Sequence, residues 1–245
     1  MMLTELQKSI QTTLHQEIEK IQPCATNATA KHARQRLTQL ADNIPAFLTM
    51  LAEPWLNEPI SKDIQTTLED CAKVHLCLRV IDDAIDENLP IHRQNLLHVQ
   101  PLYWHTFYSL GARYPDLNQH SQSLIIETVA AVAEDDKHAN PNCWGAKNHH
   151  LLLAPLLLSG HNEAYQHAKE SLSMMMAFAQ AQDEWTQGEI NNPNTVNALL
   201  ALLTTGLSQK KINCLHHYGW HKAAQRLVND GRYLINTLQN FSFKT

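Results

Sequence analysis

Glycine is scarce in this chain, with seven among 245 residues. Strand-rich folds spend glycine on turns and bulges, so the scarcity argues for helix. No stretch alternates apolar and polar residues long enough to read as a strand. The five cysteines (Cys24, Cys71, Cys77, Cys143, Cys214) are odd in number and lack CxxC spacing. That argues against a disulfide framework and against a structural zinc site. No basic stripe occurs and the net charge is −5, which speaks against a nucleic-acid partner. The longest apolar run, "LLLAPLLLSG", is about half the length of a membrane span. The N-terminus "MMLTELQKSIQ" lacks the basic and apolar regions of a signal peptide. The expectation is a soluble, cytoplasmic protein with no transmembrane segment.

Hydrophobic residues make up 44% and charged residues 18%, as in ordinary globular proteins. The length suits one domain, 1–245, with room for a large core. Apolar periodicity predicts helices over 3–21, 29–41, 46–51, 61–87, 93–112, 118–137, 146–159, 162–187, 195–207 and 221–239. Pro23 and Pro90 should end the first and fourth, Ser61 should cap the fourth, and Thr195 is a candidate cap. "DDKHANPNCWG" and "GEINNPNT" read as loops. The fold class expected is all-α: a single-domain bundle of about ten helices around a central cavity.

Two stretches are apolar on more than one face, "CAKVHLCLRVI" and "SLSMMMAFAQAQDEW", and read as central helices. Each meets its carboxylates at its C-terminal end. In "RVIDDAIDENLP", Asp82 and Asp86 share a helix face, with Asp83 about 100° round. Like charges at that spacing repel, and the helix dipole there is already negative. Two accounts fit. The oxygens hold a hard cation such as Mg²⁺, or this is a solvated helix end with Arg79 neutralising Asp82 or Asp83. "QAQDEWTQGE" repeats the pattern, with Asp183 and Gln187 four apart and Glu184 alongside. Two such ends facing each other would suit Mg²⁺ ions bridging to a diphosphate. Lys147, read as lying in the first turn of the helix in "WGAKNHHLLLAPLLLSG", joins free N–H groups in a phosphate site or is a snorkelling surface lysine. His149 and His150 are read as phosphate or metal ligands, or as surface or core groups.

Taken together, these segments resemble the class I isoprenoid synthases: trans-prenyltransferases, squalene/phytoene synthases and terpene cyclases. "DDAID" matches the aspartate-rich DDxxD motif, and "LRVIDDAIDE" looks most like its phytoene/squalene synthase form. "QAQDEWTQGE" is similar to the second acidic motif, with Glu184 for the second Asp and Gln187 for the last. "AKNHHLLLAPLLLSG" is similar to a Lys-Thr element that precedes it, with Asn148 for Thr. The resemblance implies a Mg²⁺-dependent site for an allylic prenyl diphosphate. Asp82, Asp83 and Asp86 would hold metal on one rim, and Asp183, Glu184 and Gln187 on the other. Asp82, Asp86 and Lys147 would be catalytic, and Lys147, Arg79, Arg93, Arg232 and Tyr233 would bind substrate. Phe178, Trp185 and Met174–Met176 would wall the pocket, or be plain core. A homodimer is compatible with the resemblance.

The chain departs from the elongating prenyltransferases. Only Arg93 stands where they carry Arg-Arg-Gly, and "KHARQRL" (Lys31, Arg34, Arg36) is basic without being their Gly-Lys-x-x-Arg-Pro element. The expected reaction is therefore prenyl transfer of the squalene/phytoene-synthase kind, or cyclisation. A non-catalytic or heteromeric prenyl-diphosphate-binding subunit is the alternative. A ferritin-type di-metal bundle needs Glu-x-x-His pairs, and none lies near either acidic cluster.

Overall fold

The computed structural model describes residues 1–20, 27–57, 59–86, 90–135, 140–160 and 163–239. Among the described residues there are helices and no strand, as the glycine scarcity predicts. The expected end at Pro23, the expected helix limit at Glu87 and residues 136–139 of the expected loop lie outside the described residues. The chain divides into two compact units.

The first unit comprises Met1–Gln122 with Leu153–Gly160. It contains α1 (Leu3–Glu19), α2 (Asn27–Ala41), α3 (Ile44–Leu51), α4 (Lys62–Asp86), α5 (Pro90–Arg113) and α8 (Leu153–Ser159). The central helix is α4, contacted by each of the other five. Its sequence explains this: Ala72, Val74, Leu76, Cys77, Leu78 and Val80 are all buried, more than one stripe can hold. By contrast α1 buries one stripe, Leu6, Ile10, Leu14 and Ile18, at the i, i+4 spacing of a surface helix. Ser61 opens α4 as expected, its Oγ accepting the Ile64 N–H at 3.2 Å. Arg113, at the end of α5, holds Asp63 and Asp70 of α4, each at 2.9 Å. Pro90 is the first residue of α5, where a missing N–H costs nothing.

The second unit comprises Ser123–Leu152 with His161–Thr245. It contains most of α6 (Asn118–Asp135), then α7 (Trp144–Lys147), α9 (Glu163–Gln187), α10 (Pro193–Gly206), α11 (Gln209–His217) and α12 (His221–Gln239). Here α9 is central, packed by α7, α10, α11 and α12. Leu172, Met175, Met176, Phe178 and Ala181 are buried along it, while Met174 and Trp185 are partly exposed. The cap of α10 is Asn192, three residues before Thr195. Its Oδ1 accepts the Thr195 N–H at 2.9 Å, and Pro193 fills the first turn.

The helix expected over 146–159 is three pieces. α7 ends at Lys147, a 3₁₀ turn covers His149–Leu152, and α8 begins at Leu153. Pro155 lies in the first turn of α8, where a proline is well accommodated, and fits a helix start at Leu153. α11 escaped the periodicity because Leu215 is its one buried residue.

Gly145 sets how closely α7 lies on α9. A Cβ there would stand 2.6 Å from Ser173 Oγ and 2.9 Å from the Ser173 carbonyl oxygen. The backbone atom cannot turn aside. Gly145→Ala should therefore destabilise the protein by about 1–3 kcal/mol, the usual cost of overpacking. Urea denaturation checks this, and an unchanged midpoint would refute the close approach.

Candidate functional site

The first two carboxylates of the α4 acid cluster are buried. Asp82 is 9% and Asp83 5% exposed. Both carboxylates lie at a helix C-terminus, so each needs a cation more than an ordinary aspartate does. Arginines supply it. Arg36 of α2 grips Asp83 through two N–H groups, Nε to Oδ2 at 2.6 Å and Nη2 to Oδ1 at 2.8 Å. This is the forked geometry that suits a carboxylate best. Arg79 donates from Nη1 to Asp82 Oδ2 at 2.5 Å, one turn earlier on the same helix. Asp82 Oδ1 is buried with no hydrogen-bond partner among the described residues. Asp86 is the last residue of α4, and its side chain lies outside the described set.

The second cluster is built differently. Glu184 is buried, while Asp183, Gln187 and Glu189 are exposed. Burial pushes the Glu184 carboxyl up to about 8, helped by its hydrogen bond with Glu189. Gln180 donates to its Oε1 at 2.7 Å and Lys147 stands 4.0 Å away, and both pull the other way without prevailing. Glu184 therefore keeps its proton near neutral pH. Of the two opposing groups, Lys147 contributes less than Gln180. Lys147 Nζ donates to Asp135 Oδ2 at 2.7 Å, so its one charge is already balanced.

Lys147 closes the short helix α7 rather than opening an apolar one, so the expected helix-N-terminal phosphate site is not formed there. Nor does it snorkel, because it is 8% exposed. Asp135, which no motif picked out, also accepts the Asn140 backbone N–H at 2.8 Å and Trp144 Nε1 at 3.1 Å. Trp144 is fully buried. The sequence signal was the "ED" ending α6 just before a loop that leads to a lysine.

Both ring nitrogens of His149 are engaged by other side chains. Its Nδ1 meets Glu127 Oε2 at 2.6 Å and its Nε2 meets Ser173 Oγ at 2.8 Å. Burial lowers the His149 pKa, with Glu127 opposing. Burial pushes Glu127 up, yet His149 and Lys169 together bring it below its usual value. Glu127, His149, Ser173 and Lys169 thus tie α6, the 3₁₀ turn and α9 together. Arg93, Arg232 and Tyr233 are exposed on α5 and α12. A cleft of about 490 Å³ in the second unit is lined by Glu134, Asn140, Asn192, Asn194 and Thr195, among others, and by none of the predicted site residues. Among the described residues no three histidine, cysteine or acidic side chains converge as a metal site.

Two outcomes check these assignments. Arg36→Ala leaves Asp83 buried without its cation. It should cost about 2–3 kcal/mol, less than a fully buried pair because Arg36 keeps some water contact. Arg36→Ala in an Asp83→Ala background should cost far less, and equal losses in both backgrounds would refute the pairing. Glu184 has an ordinary value near 4.5 when unfolded and about 8 when folded. Between these values the folded state binds the extra proton, so its contribution to stability falls as pH rises from about 4.5 to 8. Glu184→Gln should flatten that fall in denaturation midpoints measured at several pH values. An unaltered slope would mean Glu184 is ionised in the fold.

Comparison of the chain with protein-family models, with curated proteins and with solved structures finds no match.

Proposed function

We propose that this chain is a Mg²⁺-dependent class I isoprenoid synthase that ionises an allylic prenyl diphosphate for prenyl transfer or cyclisation. The observation that carries the reading is Asp82. It is a buried carboxylate at the end of a 25-residue helix, and one of its oxygens has no partner among the described residues. A hard divalent ion satisfies such an oxygen. The motif order adds to this: DDxxD ends α4, and a second acidic segment ends α9, which is also 25 residues long.

The residues differ in how well they suit the ion. Asp82 fits it, and Asp86 would share the ion with Asp82. Asp83 does not fit, since both its oxygens receive Arg36. Asp183 and Gln187 are exposed and would serve a second ion, whereas Glu184 keeps its proton and is a hydrogen-bond donor. Bound Mg²⁺ supplies charge compensation for a departing diphosphate. Arg79, beside Asp82, offers a guanidinium to a diphosphate oxygen. Lys147 reaches a diphosphate only by leaving Asp135.

A second reading has its own support. The Arg36–Asp83 and Lys147–Asp135 pairs already balance charges that an active site would hold ready for ion and substrate. That favours a non-catalytic subunit that binds prenyl diphosphate, alone or with a partner chain. Purified full chain with Mg²⁺ and geranyl, farnesyl or geranylgeranyl diphosphate, with and without isopentenyl diphosphate, separates the readings. The synthase should release diphosphate only with Mg²⁺, and Asp82→Asn should lower the rate by about 10²-fold or more. Tight binding of a diphosphate analogue without release supports the subunit. Neither binding nor release would sink both.

A further inference from the structure

We propose that His216 and His221 form a chelating pair for a borderline divalent transition ion, Cu²⁺, Ni²⁺ or Zn²⁺, at the turn joining α11 to α12. Their Nδ1 atoms lie 3.1 Å apart, and both side chains are exposed. With bonds of about 2.0–2.1 Å, two nitrogens on one ion stand about 2.9 Å apart at a right angle and about 3.3 Å apart at the tetrahedral angle. The observed separation falls between the two. The bite for such an ion is therefore already set.

The turn holds that bite. Tyr218 N–H donates to the Cys214 carbonyl at 3.2 Å, Gly219 N–H to His216 at 3.2 Å, and Trp220 N–H to Leu215 at 2.8 Å. Gly219 has φ +89°, a conformation that glycine takes without strain. Trp220 is fully buried and anchors the start of α12. Two donors on a preset frame lose little freedom when an ion joins them. The nearby histidines are engaged otherwise. The His217 ring sits edge-on to Tyr218 at 4.7 Å, and His167 stacks on the same ring at 5.7 Å.

One hydrogen fits between two nitrogens this close, so without metal one ring donates and the other accepts. An ion takes the place of that hydrogen, with both rings carrying their proton on Nε2. Among the described residues no third histidine, cysteine or carboxylate completes the set. The protein supplies two bonds and water the rest, so affinity falls well below that of a four-ligand structural site. Cu²⁺ should bind tightest of the three.

The test uses tag-free full chain stripped of metal, titrated with Cu²⁺ and Zn²⁺ by calorimetry, with Cu²⁺ electron paramagnetic resonance. One equivalent should bind with the splitting of two nitrogens. His216→Ala and His221→Ala should each weaken it about tenfold or more, since each leaves a single donor. His217→Ala should leave it unchanged, and circular dichroism verifies that each variant folds. Equal affinity in wild type and the His216 and His221 variants overturns the proposal. So does an equal loss in His217→Ala, which would place the ion elsewhere among the fifteen histidines.

Discussion

In the second unit the other contacts around α7 depend on one carboxylate and the three N–H groups it receives. Asp135 ends α6, and its partners Asn140, Trp144 and Lys147 all follow within twelve residues. Burying an ammonium and a carboxylate costs several kcal/mol for each ion, so the pair persists only if its acceptor positions are filled. Asp135 meets that condition, its two oxygens sharing a backbone amide, an indole and the lysine. The chain is thereby returned to α9 at a fixed place, with the large Trp144 ring packed in the core. Glu184, 4.0 Å from the same ammonium, is raised chiefly by its own burial.

The first unit meets the same difficulty with a different side chain. A helix that is apolar all round must end somewhere, and α4 ends on acids. The planar fork of Arg36 engages both oxygens of Asp83, which a lysine's single ammonium cannot do in parallel. Arg79 takes one oxygen of Asp82 and leaves the other. The two aspartates are adjacent in sequence and different in chemistry. Asp83 holds α2 to α4 through both its oxygens, whereas one oxygen of Asp82 has no hydrogen-bond partner among the described residues.

Much of the helical layout was legible because periodicity reports burial directly. The fourfold spacing of Leu6, Ile10, Leu14 and Ile18 and the all-round apolar surface of α4 follow from pattern alone. The same rule explains the miss at α11, which carries too little buried surface to register. The break at Lys147 was hidden because "HHLLLAPLLL" is apolar whether it runs as one helix or three pieces. Pairing was harder still. Arg36 lies 47 residues from Asp83, and Asp135 12 from Lys147, and local spacing says nothing about such partners. The alternative in which Arg79 neutralises a neighbouring aspartate was visible, since one helical turn separates it from Asp82.

Cys71 and Cys77 lie in the middle of α4, both buried, and burial raises both thiols, Cys77 to about 12. The thiolate is the reactive form, so at neutral pH almost none exists while the helix stays packed. Alkylation must then wait for an opening that admits both water and reagent. Its rate becomes a clock for the opening of α4, independent of any ligand or turnover. Cys143 and Cys214 are partly exposed and keep a separate time. A chain with no disulfide among its described residues thus carries its own reporters of local unfolding, placed in the helix that also bears the acidic motif.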